Sequence, residues 1–193
     1  LIEGTSMRSA ARLADVSLNT VAKLLMDAGK VCTAFHDQKV RGVTAKRVQV
    51  DEVWTFTAAK QKNVPNMKNP VEGAGDTWTW TGIDADSKLI ISWLVGGRSA
   101  EYANTFMDDL AQRLANRVQL TSDGLKAYLD AVAGAFGVDV DYAQLVKIYG
   151  ETVEGQKRYS PAEFVSCRQI GVTGNPDRKH ISTSFAERQN LTM

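Results

Sequence analysis

From Val48 to Val95 the chain carries three successive stretches that favour extended backbone, and from Ser99 onward helical and extended stretches alternate. That switch constrains the fold more than any other feature. In the first stretch Val48, Val50, Trp54 and Phe56 favour a strand. After a turn-rich segment from Lys60 to Gly75, Thr77-Trp78-Thr79-Trp80-Thr81 alternates aromatic and hydroxyl side chains, the period of a half-buried strand. Asp86-Ser87 turns the chain into a third strand, Lys88 to Val95. Short connections make these three an antiparallel meander. Tyr102, Phe106, Leu110 and Leu114 then recur at four-residue spacing behind the capping residue Ser99, which predicts a helix with one buried stripe. A short strand from Val118 to Thr121, a helix from about Leu125 to Phe136 and a strand within Val140–Tyr149 follow. Residues 150–179 read as a long irregular region, and Ser182, Thr183 and Ser184 offer caps for a last helix carrying Phe185, Glu187 and Leu191. The order β-β-β-α-β-α-β-loop-α is the plan of an α/β mixed sheet with helices on both faces.

A smaller unit precedes this plan. Residues 7–29 predict two short helices broken at Asp15-Val16, the second capped by Ser17 and closed by Gly29. Paired helices joined by three or four residues form a helix-turn-helix pattern, with Asn19, Thr20 and Lys23 on the exposed face of the second helix as candidate DNA contacts. Residues 30–47 read as a basic linker, so the sequence divides into a helix-turn-helix segment with linker over 1–47 and a main domain over 48–193.

Charge follows the same division. Residues 1–50 hold eight Lys/Arg against four Asp/Glu, so a nucleic acid would first be gripped there. The later residues are net acidic, which suits a site that concentrates carboxylates around a metal. Cys32 and Cys167 are the only cysteines and His36 and His180 the only histidines. Neither cysteine lies in a CxxC pair, so no structural zinc site is indicated and oxygen ligands are the natural choice. No stretch approaches the ~18 apolar residues of a membrane span. The opening residues have neither the basic head nor the apolar core of a signal peptide. Two cysteines outside any CxxC pair suit a reduced cytoplasmic setting, DNA-associated if the helix-turn-helix segment binds DNA. The chain starts without Met and stops six residues after Glu187, which predicts a fragment truncated at its C-terminus.

Three carboxylates stand apart by their setting. Asp51 lies inside a strand rich in apolar and aromatic residues, and Asp123 at the end of a short strand before Gly124, where α/β sheets present ligands. Glu187 lies on the last helix. If the first and fourth strands are neighbours, Asp51 and Asp123 converge and Glu187 closes the site. Grouped carboxylates repel one another without cations, and hard oxygen ligands suit Mg²⁺, with Mn²⁺ as a substitute. Two such ions about 3.5–4 Å apart suit in-line displacement at phosphorus. Adjacent strand residues point to opposite faces, so Glu52 is expected to point away from Asp51 and to matter less, although it could instead be the important carboxylate or join Asp51 in a salt-bridge network. Asp before Gly is also a common turn residue and a helical Glu is commonly a surface group, so the residues alone leave the constellation open.

Asp51-Glu52-Val53-Trp54, Ser122-Asp123-Gly124 with Tyr128, and Glu187-Arg188-Gln189-Asn190-Leu191 together resemble the three acidic blocks of transposases of the insertion-sequence-one (InsAB-type) family. The resemblance covers roughly residues 7–193. It implies an RNase H-like fold behind a helix-turn-helix, with a DDE triad in which Asp51, Asp123 and Glu187 bind the metal ions. It also implies an enzyme that cleaves element ends and transfers the strand into target DNA. The implied partners are double-stranded DNA at element ends and at the target, and further copies of the chain assembled on DNA. Lys126 and Tyr128 lie near the second carboxylate, as candidates for positioning DNA. Two features depart from the family pattern: there is no cysteine-rich zinc segment, and Gln189 stands where some members have histidine. The alternatives are another RNase H-like nuclease or resolvase, and a non-catalytic DNA-binding remnant of a transposase.

Overall fold

Val48 and Val50 are fully buried, and the strand that holds them is the axis of the main domain. The computed structural model describes residues 4–69, 71–150 and 164–192. Contacts group the chain into two units, Leu1–Arg41 and Gly42–Met193.

In the first unit, helix α1 (Met7–Ala14) ends at Asp15, whose φ of 51° is left-handed, and Ser17 caps helix α2 (Leu18–Lys39) by accepting from Thr20 N at 3.0 Å. The break and the cap are those expected, but α2 is far longer. It passes through Gly29 and absorbs most of the segment read as linker. A glycine inside a helix costs only about 1 kcal/mol relative to alanine, and no proline follows to enforce a stop.

The second unit is built on β1 (Arg47–Thr57), β2 (Gly75–Asp84), β3 (Ile90–Gly96), β4 (Val118–Ser122), β5 (Val140–Tyr149) and β6 (Phe164–Thr173). They form one sheet in the order β3-β2-β1-β4-β5-β6. β1, β2 and β3 are antiparallel, while β4 runs parallel to both β1 and β5. A meander joined to parallel strands, with the first strand between the second and fourth, is the RNase H-like arrangement. β6 corrects the reading of 150–179 as irregular: it pairs antiparallel with β5 along the sheet edge. Its residues are exposed or half-buried, so no buried alternation marked it in the sequence. Residues 151–163 of that region lie outside the described residues.

Helices α3 (Ala100–Arg113) and α4 (Ala127–Phe136) cover one face of the sheet. Buried Trp80 lies against Phe106 of α3 and Tyr128 of α4, with ring centroids 5.9 and 5.5 Å apart, and its indole N–H donates to Gly97 O at 2.9 Å. Gly82 lies beneath α3; a Cβ there would meet Leu110 Cδ1 at 3.2 Å. The α3 stripe is Ala103, Phe106, Met107 and Leu110, not the one expected through Tyr102 and Leu114. Tyr102 instead lies over Gly96 and Gly97, where any Cβ would collide with its ring.

Helix α5 (Ser184–Asn190) covers the other face. Phe185 and Leu191, the apolar residues flanking Glu187, are 36% and 87% exposed and do not anchor the helix. Buried Ala186 and the side chain of Gln49 hold it instead: Gln49 Oε1 accepts from Phe185 N at 2.7 Å and from Ala186 N at 3.3 Å. Two backbone donors of the first turn, which have no partner within a helix, are thereby satisfied from β1. Among the described residues no helix is long and apolar enough to cross a membrane.

Candidate metal centre

The parallel pairing of β1 with β4 ends at Gln49 and Thr121. Asp51 and Asp123 each stand two residues beyond that rung, so the carboxylates rise together at the mouth of the notch where β4 stops and β1 continues. Gly124 permits the turn that follows. A Cβ there would come within 3.1 Å of Val146 Cγ2, and Asp123 Oδ1 accepts from Leu125 N at 2.9 Å.

Glu52 joins them, which corrects the expectation that it lies away from the site. One oxygen from each of Asp51, Glu52 and Asp123 falls within 4.8 Å of the others. Alternation does send Asp51 and Glu52 to opposite faces: Asp51 meets α5, Glu52 meets α4. At this rung, however, no strand among the described residues fills the β4 side of β1, so both faces open on the same notch. Glu52 is almost wholly buried and both its oxygens accept hydrogen bonds. Arg98 Nε and Nη2 donate to Oε1 at 2.9 and 2.6 Å, and Tyr128 Oη donates to Oε2 at 2.9 Å. Tyr128 is itself fully buried, so it braces Glu52 and is shielded from any direct DNA contact.

Glu187 lies in the same cleft but outside the close cluster. The cleft is lined by Asp51, Arg98, Asp123, Lys126, Lys147 and Glu187 among others. Lys147 of β5 donates to Glu187 Oε2 at 2.5 Å, and Thr183 Oγ1 donates to Oε1. Asn190, one turn further along α5, donates from Nδ2 to Asp51 Oδ2 at 2.8 Å while its Oδ1 accepts from Thr81 Oγ1 at 3.3 Å. Lys147, Arg98 and the role of Asn190 escaped the sequence reading. The one available signal was the Glu187–Asn190 spacing, which places both side chains on one side of a helix.

Electrostatics separates the two sides of the cleft. Burial pushes Asp51 up to about 7, and the charges of Glu52 and Asp123 add to the rise. Burial, then the charge of Asp123, also raises Glu52 above the ordinary carboxylate range, against the hydrogen bonds of Arg98 and Tyr128. For Glu187 burial acts upward, but the bonds from Lys147 and Thr183 prevail and hold it low. An all-oxygen donor set whose members destabilise one another as anions fits a hard divalent cation, which would remove that repulsion. The cluster of Asp51, Glu52 and Asp123 can therefore coordinate such an ion, and an acidic cluster of this kind in an RNase H-like fold is consistent with metal-dependent phosphoryl transfer.

The candidate DNA contacts belong to the first unit. Asn19, Thr20 and Lys23 are exposed on α2. Thr20 Oγ1 is hydrogen-bonded to the Ser17 hydroxyl at 2.8 Å, and Lys23 pairs with Asp27 at 2.5 Å.

No family model matches the sequence, and no curated protein matches it. Among solved structures, the chain is similar to a piggyBac transposase in a cryo-EM structure of its synaptic complex with hairpin DNA. The TM-score is 0.38 at 9% identity, covering 78% of this chain and 38% of that one. The chain thus spans well under two thirds of that protein, and a likeness so slight carries no weight; the fold rests on the strand order above.

Proposed function

We propose that this chain carries the catalytic core of a DDE-type DNA transposase of the insertion-sequence-one (InsAB-type) family, acting on element ends and on target DNA. The observation that carries the reading is the placement of Asp51 and Asp123 two residues past the β1–β4 pairing, in a cleft that also receives Glu187. In this reading Asp51, Asp123 and Glu187 hold Mg²⁺, or Mn²⁺ in its place, with Glu52 beside them. The bound ions would supply charge neutralisation at phosphorus and a more acidic attacking hydroxyl. The chain's own residues do the rest. Asn190 fixes the rotation of Asp51, Tyr128 and Arg98 fix Glu52, and Lys147 holds Glu187. Arg98, Lys126 and Lys147 line the cleft and give it positive groups to receive a phosphodiester.

Asn19, Thr20 and Lys23 are proposed as contacts to double-stranded element ends. Lys23→Ala should then weaken binding to the terminal repeat more than to random duplex; equal loss on both would reduce Lys23 to a phosphate contact. The decisive experiment for the reaction supplies a pre-cleaved element end with a free 3′-hydroxyl together with target plasmid and Mg²⁺, using the chain with its natural flanks. Joined product supports transposition. Hydrolysis without joining would assign the site to a nuclease or resolvase, and specific DNA binding with neither would assign the chain to a non-catalytic remnant.

A further inference from the structure

Beyond the carboxylates, β1 carries a row of aromatic side chains that the proposed chemistry does not use. Trp54 and Phe56 follow Glu52 on the same side of the strand, are 38% and 45% exposed, and lie with ring centroids 5.8 Å apart. Trp78 stands directly opposite Trp54 across the β1–β2 pairing. A cation sits over each indole: Lys60 Nζ is 5.0 Å from the Trp54 ring and Arg98 Cζ is 4.4 Å from the Trp78 ring. Arg98 also lines the cleft and is held there by Glu52. Arg98, Trp78, Trp54, Phe56 and Lys60 therefore form one strip that starts at the carboxylates and runs outward along the two strands.

The exposed rings of Trp54 and Phe56, beside Lys60 and Arg98, match a polymer that alternates flat apolar faces with negative charge. An intact duplex presents charge but keeps its bases stacked on one another. An unpaired strand can offer both, with bases on the rings and phosphates on the cations. A purely apolar partner would bury Lys60 without a counter-charge, whereas Arg98 is already paired with Glu52. We infer that this strip binds an unpaired DNA strand next to the scissile phosphate, with bases against Trp54 and Phe56 and backbone phosphates against Arg98 and Lys60. The inference rests on the reading of the cleft as a phosphodiester site, but its test does not.

The test measures fluorescence anisotropy of a labelled single-stranded oligonucleotide and of the blunt duplex of the same sequence, with the full chain in EDTA. Trp54→Ala and Phe56→Ala should each weaken single-strand binding roughly five- to a hundredfold. Trp54→Phe should keep most of the affinity, which separates stacking from misfolding, and duplex binding should change by less than about twofold. Single-strand affinity that is unchanged, or that falls in step with duplex affinity, would overturn the inference. So would a concentration-dependent dimer of the wild-type chain that Trp54→Ala disperses, since the strip would then be a face between copies. Selective single-strand loss in a chain that lacks metal-dependent cleavage would leave the strip standing and defeat only the reading of the cleft.

Discussion

Asn190 donates its side-chain amide to Asp51 across 139 residues of sequence, at 2.8 Å. The bond ties the last helix to the first strand at the atom most in need of orientation, because Thr81 holds the other end of the amide. Removing a partner that orients a ligating carboxylate commonly lowers metal affinity about 10–100-fold. Asn190→Ala should show a loss of that size in Mn²⁺ titrations followed by electron paramagnetic resonance, with α5 still seated on Gln49 and Ala186. Unchanged affinity would mean that Asp51 does not need the amide.

Metal-free protein should lose stability as the pH rises from about 4 towards about 7. Asp51 has an ordinary value of 3.8 and is pushed up to about 7 in the fold, first by burial and then by Glu52 and Asp123. Between those values the folded state holds the proton that the unfolded chain has released, so folding is favoured on the acid side. The upward shift of Glu52 acts in the same direction. Asp51→Asn removes the charge and should flatten this part of the stability profile, measured by urea unfolding at several pH values. Mg²⁺ should flatten it in the wild type by stabilising the anion. Stability that climbs through this window in the metal-free wild type would contradict the assigned environment of Asp51.

Trp80 is the largest fully buried side chain and meets both helices of its face. Trp80→Ala should cost about 3–5 kcal/mol of folding stability, the usual range for emptying a buried aromatic site. Denaturant unfolding of the metal-free protein measures it directly. A cost under about 1 kcal/mol would show that α3 and α4 do not depend on this contact.

Where the sequence was informative, the reason was periodicity. Trp78 and Trp80 alternate with threonines because β2 has a buried face, and Leu110 follows Phe106 because α3 has one. The sheet order also follows from the succession of elements, since a meander followed by helix-separated strands leaves few places for β4 other than beside β1. β6 left no such mark, because an edge strand with an exposed or half-buried surface needs no apolar alternation. Glu52 was misplaced for a related reason. Alternation fixes which face a residue takes, but it is silent on where a neighbouring strand stops, and the early end of β4 opens both faces of β1 onto one notch. Arg98 and Lys147 reach the cleft from a loop and from β5, and only the folded chain brings them to Glu52 and Glu187.

In the proposed function Asp51 and Asp123, with Glu187 in the same cleft, hold the divalent ions that act on a phosphodiester. The most direct measurement is Mg²⁺-dependent cleavage of element-end DNA by the chain with its natural flanks, beside Asp51→Asn, Asp123→Asn and Glu187→Gln. Each amide keeps the shape of the side chain and removes the charge that holds the metal, so each should slow cleavage by ~10²–10⁴-fold, or roughly 3–5 kcal/mol of transition-state stabilisation. DNA binding in EDTA should be largely spared. Cleavage at the wild-type rate by all three variants, with unaltered dependence on Mg²⁺, would contradict the account.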